Sequence, residues 1–315
     1  MTTQTKQLDY LSERSTIPCI CGAVRGIMIR RKDRYQLRFK FRFCTKCGHV
    51  RASNPLSAHA AERFYGTSDY RSMYFPGESA REVLIRKTPK SQTVSPLLRY
   101  VQGLGVAPGK IVEWGCGGGW NLIPFRDAGW TVSGFDYDKL YVALGREVLG
   151  LPLQEIQTAA TQLQSFNSDV VLLNHVLEHA VDPVSLLVRL RKFCTPSTTL
   201  VIGVPLLETI SIWHWRNFFH IAHIHYFSSD SLVAVARNAG FDVVDCDIKS
   251  GLFAMRLADT KATQWPGRRA ALRSATAILK GFVEPGFRLR LLFRSVVRVL
   301  GLLPIARRLK VMLGQ

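Results

Sequence analysis

The chain has 315 residues, 47% of them hydrophobic and 10% aromatic, and no uninterrupted apolar run of about 18 residues, which argues against a spanning helix. Its formal net charge of +19 sits at the two ends: residues 1–60 hold 12 Lys/Arg against 3 acids, 261–315 hold 12 against 1, and 61–260 hold 18 against 19. Basic ends suit anionic partners such as lipid headgroups, nucleic acid or phosphorylated metabolites, and say nothing about fold.

The first ten residues carry no apolar signal core, so a cytoplasmic location is expected. Four of the seven cysteines follow within the first 50 residues as two close pairs, Cys19 with Cys21 and Cys44 with Cys47, each pair trailed by a glycine. In a cytoplasmic chain this pattern favours a metal over disulfides. Two thiolate pairs on tight turns can close a tetrahedral shell around one zinc ion, and a closed shell makes that zinc structural. The first pair is C-x-C where C-x-x-C is usual. Residues 25–43, between the pairs, alternate like the strands of a small ribbon. With few apolar residues there, the metal is expected to supply much of the folding energy.

Residues 55–100 scatter aromatics among polar residues and end in a helical stretch over 95–104, a lid or linker to the main domain. From Lys110 onward strand, glycine turn and helix repeat. Strands are expected at 110–116, 131–136, near 151–157, 169–174 and 198–205, and helices over 119–129, 138–150, 183–193 and 228–240. Asp182 and Pro183 supply the N-cap and first turn of the third helix. A closing pair of strands falls at 241–249 and 252–258. The alternation implies an α/β, Rossmann-like doubly wound sheet of seven strands, mixed because the last runs antiparallel. The expected units are a zinc-ribbon-like module (1–60), a helical linker or lid (61–108), the main domain (109–260) and a basic helical extension (261–315).

The most informative stretch ends the first strand: Glu113, then Gly115, Gly117, Gly118 and Gly119. Glycines there let backbone approach a ligand at the carboxyl end of the sheet. A dinucleotide fingerprint needs G-x-G-x-x-G, and its last position falls on Trp120 counting from Gly115, or on Leu122 counting from Gly117, so that reading fails.

Glu113, Gly115, Gly117 and Gly119 instead resemble the acidic-x-G-x-G-x-G motif of class I S-adenosylmethionine-dependent methyltransferases. That resemblance implies S-adenosylmethionine as cofactor, with the loop facing its methionine part and Asp136, at the end of the second strand, taking the ribose hydroxyls. Residues 174–179 (Asn174, His175, Val176, Leu177, Glu178, His179) are similar to a stretch found in a subgroup that includes ubiquinone-type and sugar-modifying methyltransferases. His223 to Ser228, followed by the helix over 228–240, is similar to another segment of that subgroup, and in its sugar methyltransferases from antibiotic and surface-polysaccharide pathways a cysteine-rich zinc module often precedes the domain. The resemblance covers most of residues 15–258 and adds Asn174 to the cofactor site. One departure is the lack of an acid after the third strand, where backbone near Thr158 and Ala159 would have to meet the adenine.

Methyl transfer from a sulfonium is an in-line displacement, so the chain must align the acceptor and remove its proton. His175 is the first candidate base, followed by His179 and His225, because imidazoles titrate near neutrality. His175, Glu178 and His179, at i, i+3 and i+4, would share one face of a helical turn. Ubiquinone-type relatives carry carboxylates on such a turn that can hold a divalent metal; here the first position is His.

Near the C-terminus Arg290, Arg294 and Arg298 form one helical stripe, with Leu289, Leu292, Val296, Val299 and Leu300 opposite, the pattern of an interfacial amphipathic helix for an anionic membrane surface. The favoured acceptor is a sugar, glycan or lipid-linked intermediate, met in the cytoplasm or at the inner face of the membrane. Quinone or aromatic O-methylation is the alternative enzyme reading. A nucleic-acid-binding zinc ribbon with an RNA-modifying or inert methyltransferase domain is the third, disfavoured because no single-strand-binding signature accompanies the basic charge.

Overall fold

The computed structural model describes residues 9–67, 69–89, 95–156, 167–210, 215–258 and 265–282. The arginine stripe at 287–300, Thr158 and Ala159 lie outside the described residues. In chain order the elements are β1 (Ile27–Lys32), β2 (Arg38–Phe43), β3 (Val50–Ala52), α1 (Ala58–Gly66), α2 (Asp69–Tyr74), α3 (Ala80–Lys87), α4 (Pro96–Gly103), β4 (Lys110–Trp114), α5 (Ile123–Asp127), β5 (Thr131–Asp136), α6 (Lys139–Leu149) and β6 (Leu153–Glu155). There follow β7 (Val170–Asn174), a 3-10 turn (Leu177–His179), α7 (Pro183–Arg191), β8 (Thr199–Gly203), α8 (Trp215–Phe218), β9 (His225–Tyr226), α9 (Ser229–Asn238), β10 (Phe241–Asp247), β11 (Leu252–Leu257) and α10 (Arg268–Phe282).

The main sheet has seven strands in the order β10-β11-β8-β7-β4-β5-β6. Strands β6, β5, β4, β7 and β8 are parallel, and β11 runs antiparallel to both β8 and β10. This is the expected Rossmann-like mixed sheet with its last strand reversed. The central strand β7 is buried in all but its last residue and its neighbour β8 throughout, because helices cover both faces and each strand is a continuous apolar run. The chain leaves β4 toward β5 and β6 on one side and returns to β7 and β8 on the other. The switch point therefore lies at the carboxyl ends of β4 and β7, where ligands bind in open α/β sheets. Helix α6 begins where the Asp138 side chain accepts the Tyr141 N–H, and α7 where Asp182 accepts the Ser185 N–H.

The second sheet, in the order β1-β2-β3-β9, is antiparallel. In β2 the period-two pattern turns Phe39, Phe41 and Phe43 inward and leaves Arg38, Lys40 and Arg42 outside the core. Its fourth strand comes from the far side of the main domain: Val50 pairs with Tyr226 and Arg51 with His225. The core beneath this sheet gathers Phe39, Phe41 and Val50 with Phe219, Ile221 and Tyr226, and with Ala271 and Ile278 of α10. The buried Asp33 carboxylate ties the β1–β2 turn to the same segment, accepting the Ile221 N–H at 3.0 Å. The few apolar residues of the cysteine-bearing segment are thus supplemented by later parts of the chain, which share its core. Among the described residues no helix is long and apolar enough to cross a membrane.

Candidate active site and metal centre

At the end of β4 the backbone turns through Gly115, Gly117 and Gly119 with φ of 77°, 56° and 81°. A Cβ at Gly115 would stand 2.4 Å from Val176 Cγ2, and one at Gly119 would stand 2.6 Å from Leu151 Cδ1, so handedness and space both demand glycine. Glu113 is wholly buried on β4. Its Oε1 accepts the Asn121 amide at 2.7 Å, while Oε2 has no hydrogen-bond partner among the described residues. Burial pushes its carboxyl up to about 8; the Asn121 bond opposes this and the charge of Asp136 adds to it.

Asp136 ends β5 and folds back on the loop. Its Oδ2 accepts the Gly117 N–H at 2.6 Å and its Oδ1 the Asp138 N–H at 2.8 Å. Each oxygen keeps a lone pair for a further donor. Asn174 ends β7 and covers Gly203 of β8, where a Cβ would come within 2.4 Å of its Oδ1. Glu113, the three glycines and Asp136 thus form one surface at the switch point, with Asn174 at the end of the neighbouring parallel strand.

The chain leaves β7 through His175, which adopts a left-handed backbone (φ 56°) while its N–H donates to Gly203 O at 2.8 Å. For a side chain other than glycine this conformation costs on the order of 1–2 kcal/mol. The next turn is 3-10, so the helical face expected for His175, Glu178 and His179 does not form. Glu178 instead sits buried among imidazoles. Its Oε1 is 3.1 Å from His175 Nδ1 and 3.7 Å from His223 Nε2, and its Oε2 has no partner among the described residues.

His179 Nδ1 lies 3.0 Å from Ala222 O and 3.2 Å from Tyr65 Oη. Since the carbonyl can only accept, Nδ1 carries the proton and Nε2 the lone pair. His220 packs against His223 with ring centroids 3.7 Å apart and the rings tilted by 50°, and it meets the Tyr74 hydroxyl at 2.9 Å. Burial holds His179, His220 and His223 below the usual imidazole value, His220 at about 2. At His175 partial desolvation by the surrounding chain acts in the same direction, but the hydrogen bond and charge of Glu178 outweigh it and raise the group above its usual value. Its side chain remains 61% exposed, open to an acceptor.

Ligand atoms of Glu178, His179 and His223 lie within 4.8 Å of one another, so the set able to hold an ion here includes His223 and not His175. His225 sits elsewhere, on the seam between the two sheets. Its Nδ1 meets His49 Nε2 at 2.9 Å and its Nε2 faces Val181 O at 3.3 Å. The structure therefore brings His175 and His179 together around Glu178 and commits His225 to β3. Sequence reasoning did not single out Tyr65, Tyr74 and His220. The signal for the two tyrosines was the run of aromatics in 55–100, and for His220 the histidine-rich stretch after β8; neither carried chemistry until α1 and α2 packed over the 220–223 turn.

The four cysteines are buried in one cluster. Cys19 and Cys47 sulfurs are 3.5 Å apart and those of Cys21 and Cys44 3.7 Å, near the edge of about 3.8 Å that Zn–S bonds of about 2.3 Å give a tetrahedron. Each pair sits on a turn closed by a glycine of positive φ, Gly22 at 80° and Gly48 at 79°. The Gly22 N–H donates to Cys19 O and the Gly48 N–H to Cys44 O. No coordination position is left open, which fits a structural ion and not a catalytic one.

A family model described as a methyltransferase domain matches residues 87–245, half of the chain. No curated protein matches it. Similar solved structures include the 1,6-didemethyltoxoflavin N1-methyltransferase of Burkholderia thailandensis, with 19% identity, a TM-score of 0.45, and 67% of this chain and 96% of that one covered. The magnesium protoporphyrin IX methyltransferase of Synechocystis is another, at 18% identity, TM-score 0.42, and 62% and 95% coverage. A third is the mitomycin 7-O-methyltransferase, at 18% identity, TM-score 0.40 and 48% of this chain, which spans about half the length of that enzyme (49%).

Proposed function

The chain belongs to the methyltransferase-domain family, and on that premise we propose that it is an S-adenosylmethionine-dependent methyltransferase acting on a sugar, glycan or lipid-linked intermediate. The observation that carries the cofactor reading is the loop of three left-handed glycines closed by the Gly117–Asp136 hydrogen bond at the switch point. S-adenosylmethionine supplies a methyl group on a sulfonium. Asp136 keeps lone pairs for the ribose hydroxyls, Glu113 offers its unpartnered Oε2 from beneath the loop, and Asn174 borders the site from β7.

In the transfer the methyl–sulfur bond breaks as the acceptor–methyl bond forms, and the acceptor's proton passes to an imidazole. His175 holds that role, because it is solvent-open, lies next to β7 and is buttressed by buried Glu178. His179, with its lone pair on Nε2, stands behind it. His225 positions the seam. Tyr65, Tyr74 and His220 lie around His179 and His223, with the two hydroxyls held by His179 and His220. The four-cysteine centre holds one structural zinc, and the basic C-terminal stripe brings the enzyme to anionic membrane surfaces when the acceptor is lipid-linked.

Calorimetry with S-adenosylhomocysteine tests the cofactor reading: saturable binding to the full chain, weakened by about 1.5–3 kcal/mol in Asp136→Ala, is expected. No binding to the native chain overturns it. Vesicles with and without anionic lipid test the membrane contact, which should appear with the anionic lipid and fade with salt.

A further inference from the structure

Every second residue of β2 points away from the core, and each of these is a cation: Arg38, Lys40 and Arg42. They stand about 7 Å apart along the strand, inside one Debye length of about 8 Å at physiological salt, so their fields add. The register of β1 sets Lys32 beside Arg38 and Met28 beside Arg42 on the same face. Arg51 of β3 is also a cross-strand neighbour of Arg42, but it is buried under the loop that precedes β1, donating to Ala23 O at 3.3 Å and Val24 O at 2.9 Å. That loop edges the face and carries Val24, 72% exposed.

No carboxylate balances these cations. Residues 14–61 hold 11 Lys/Arg and one acid, Asp33. Asp33 is buried, and its two oxygens accept the N–H groups of Tyr35, Leu37 and Ile221. Elsewhere on the molecule exposed cations do meet acids: Arg81 pairs with Glu147 at 2.9 Å, Arg86 with Glu78 at 2.7 Å and Arg273 with Asp230 at 2.8 Å. Among the described residues Lys32, Arg38, Lys40 and Arg42 have no such pair.

The face is also without rings. Phe39, Phe41 and Phe43 turn inward, and β1 and β3 hold no aromatic residue. A surface for single-stranded nucleic acid interleaves cations with stacking rings, and a site for a small phosphorylated metabolite is concave. An open sheet face of cations edged by aliphatic Val24 and by Met28 instead complements a layer of anionic headgroups above an acyl boundary.

Resting on the reading of this enzyme as one that works at anionic membrane surfaces, we propose that the outer face of β1 and β2 is a docking surface for an anionic bilayer, with Lys32, Arg38, Lys40 and Arg42 against the headgroups. The cysteine-bearing module then holds the membrane through a surface separate from the C-terminal stripe. Docking here orients the histidine cluster to the lipid, because the β1–β2 turn is tied to the segment that carries His220: Arg34 N–H donates to Phe219 O at 2.8 Å and Asp33 accepts the Ile221 N–H at 3.0 Å.

Vesicle co-sedimentation of the full chain tests this, with phosphatidylcholine alone and with phosphatidylglycerol mixed into it. Two triple variants are compared with the native chain: Lys32→Gln with Arg38→Gln and Lys40→Gln on the sheet, and Arg290→Gln with Arg294→Gln and Arg298→Gln in the C-terminal stripe. The three sheet residues are exposed, so the first variant should keep the native melting temperature and affinity for S-adenosylhomocysteine. It should bind the mixed vesicles on the order of 100-fold more weakly, about 5-fold for each cation removed, and with a shallower dependence on salt. Native-like vesicle binding by the sheet variant overturns the docking surface, and a loss confined to the stripe variant leaves the membrane reading standing on the C-terminus alone. A native chain that ignores the mixed vesicles at low salt overturns the membrane reading itself. Tighter retention of RNA than of mixed vesicles at the same salt, lost in the sheet variant, would assign the face to nucleic acid and overturn the proposal.

Discussion

His49 and His225 meet ring nitrogen to ring nitrogen at 2.9 Å, and this contact joins the loop of Cys44 and Cys47 to the segment that follows the histidine cluster. His49 O accepts the Cys44 N–H, and the next residue, Val50, pairs with Tyr226. Burial keeps both imidazoles below their usual value, His225 at about 4, so the pair is neutral near pH 7 and one ring donates to the other.

Removal of the metal should accordingly be felt beyond the N-terminal module. One zinc per chain is expected by elemental analysis, with loss of that zinc in Cys44→Ser or under a strong chelator. Zinc-finger peptides gain about 10–16 kcal/mol from the metal, but here the shared core with Phe219 and Ile278 retains part of the fold. Hydrogen exchange is the sensitive readout: amides of β3 and β9 should lose protection together on chelation. Full protection of β9 in zinc-free protein would show that the seam is independent of the metal.

Phe219 probes the same seam from the core. Its ring lies 5.0 Å from Phe41 and 4.7 Å from Tyr226, bridging the cysteine-bearing sheet and the main chain segment that closes it. Phe219→Ala should cost about 3–5 kcal/mol, the range for a fully buried phenylalanine. Denaturant unfolding followed separately by a probe in β2 and one in β7 should show both midpoints falling. A loss confined to β2 would mean that the two sheets unfold as separate units.

The main sheet was legible because its strands are apolar runs set at regular spacing, and the loop after Glu113 because glycines with positive φ leave a mark in the sequence itself. The cysteine pairs were legible for the same reason: turn chemistry is local. What could not be read was the fourth strand of the small sheet. His225 and Tyr226 are a two-residue strand within a histidine-rich stretch, and nothing local marks them as partners of Arg51 and Val50, 174 and 176 residues away. The face expected for His175, Glu178 and His179 failed for a related reason. The left-handed backbone of His175 is imposed by the neighbouring strand through Gly203 O, a tertiary constraint that helical periodicity does not contain. Tyr74 was legible only as part of a lid, because its meaning depends on what α2 covers.

Glu113 makes a prediction about pH and stability. Its carboxyl, raised to about 8 in the folded chain, ionises in the unfolded chain near its ordinary value of 4.5. Between those values the folded state holds a proton that the unfolded state has released, so stability falls as pH rises through this window. The contribution is greatest below about 4.5 and is lost as pH approaches 8, at up to about 1.4 kcal/mol per pH unit. Glu113→Gln keeps an oxygen for the Asn121 amide and has no proton to lose. Its melting temperature should therefore decline less steeply than that of the native protein from pH 5 to pH 8, and parallel declines would locate the titration elsewhere.

The last prediction concerns His175 and the group that tunes it. Glu178 raises the imidazole above its usual value through a 3.1 Å hydrogen bond and its charge, against partial desolvation by the surrounding chain. A raised histidine stabilises the folded state at low pH, fully below about 6.5, and that contribution is lost as pH rises through the folded midpoint. The same midpoint governs chemistry, because only the neutral ring accepts a proton; methyl transfer should rise with pH through a value above 6.5. Glu178→Gln removes the charge while keeping an acceptor oxygen for the imidazole, so the His175 midpoint followed by NMR should fall below its native value, and the rising limb of the rate profile should move with it. His175→Asn tolerates the left-handed backbone and removes the base. It should retain cofactor affinity and melting temperature while methyl transfer drops by roughly 10²- to 10⁴-fold, the usual contribution of a positioned base. An unchanged rate in His175→Asn would pass the proton to His179, whose Nε2 lone pair faces away from Ala222.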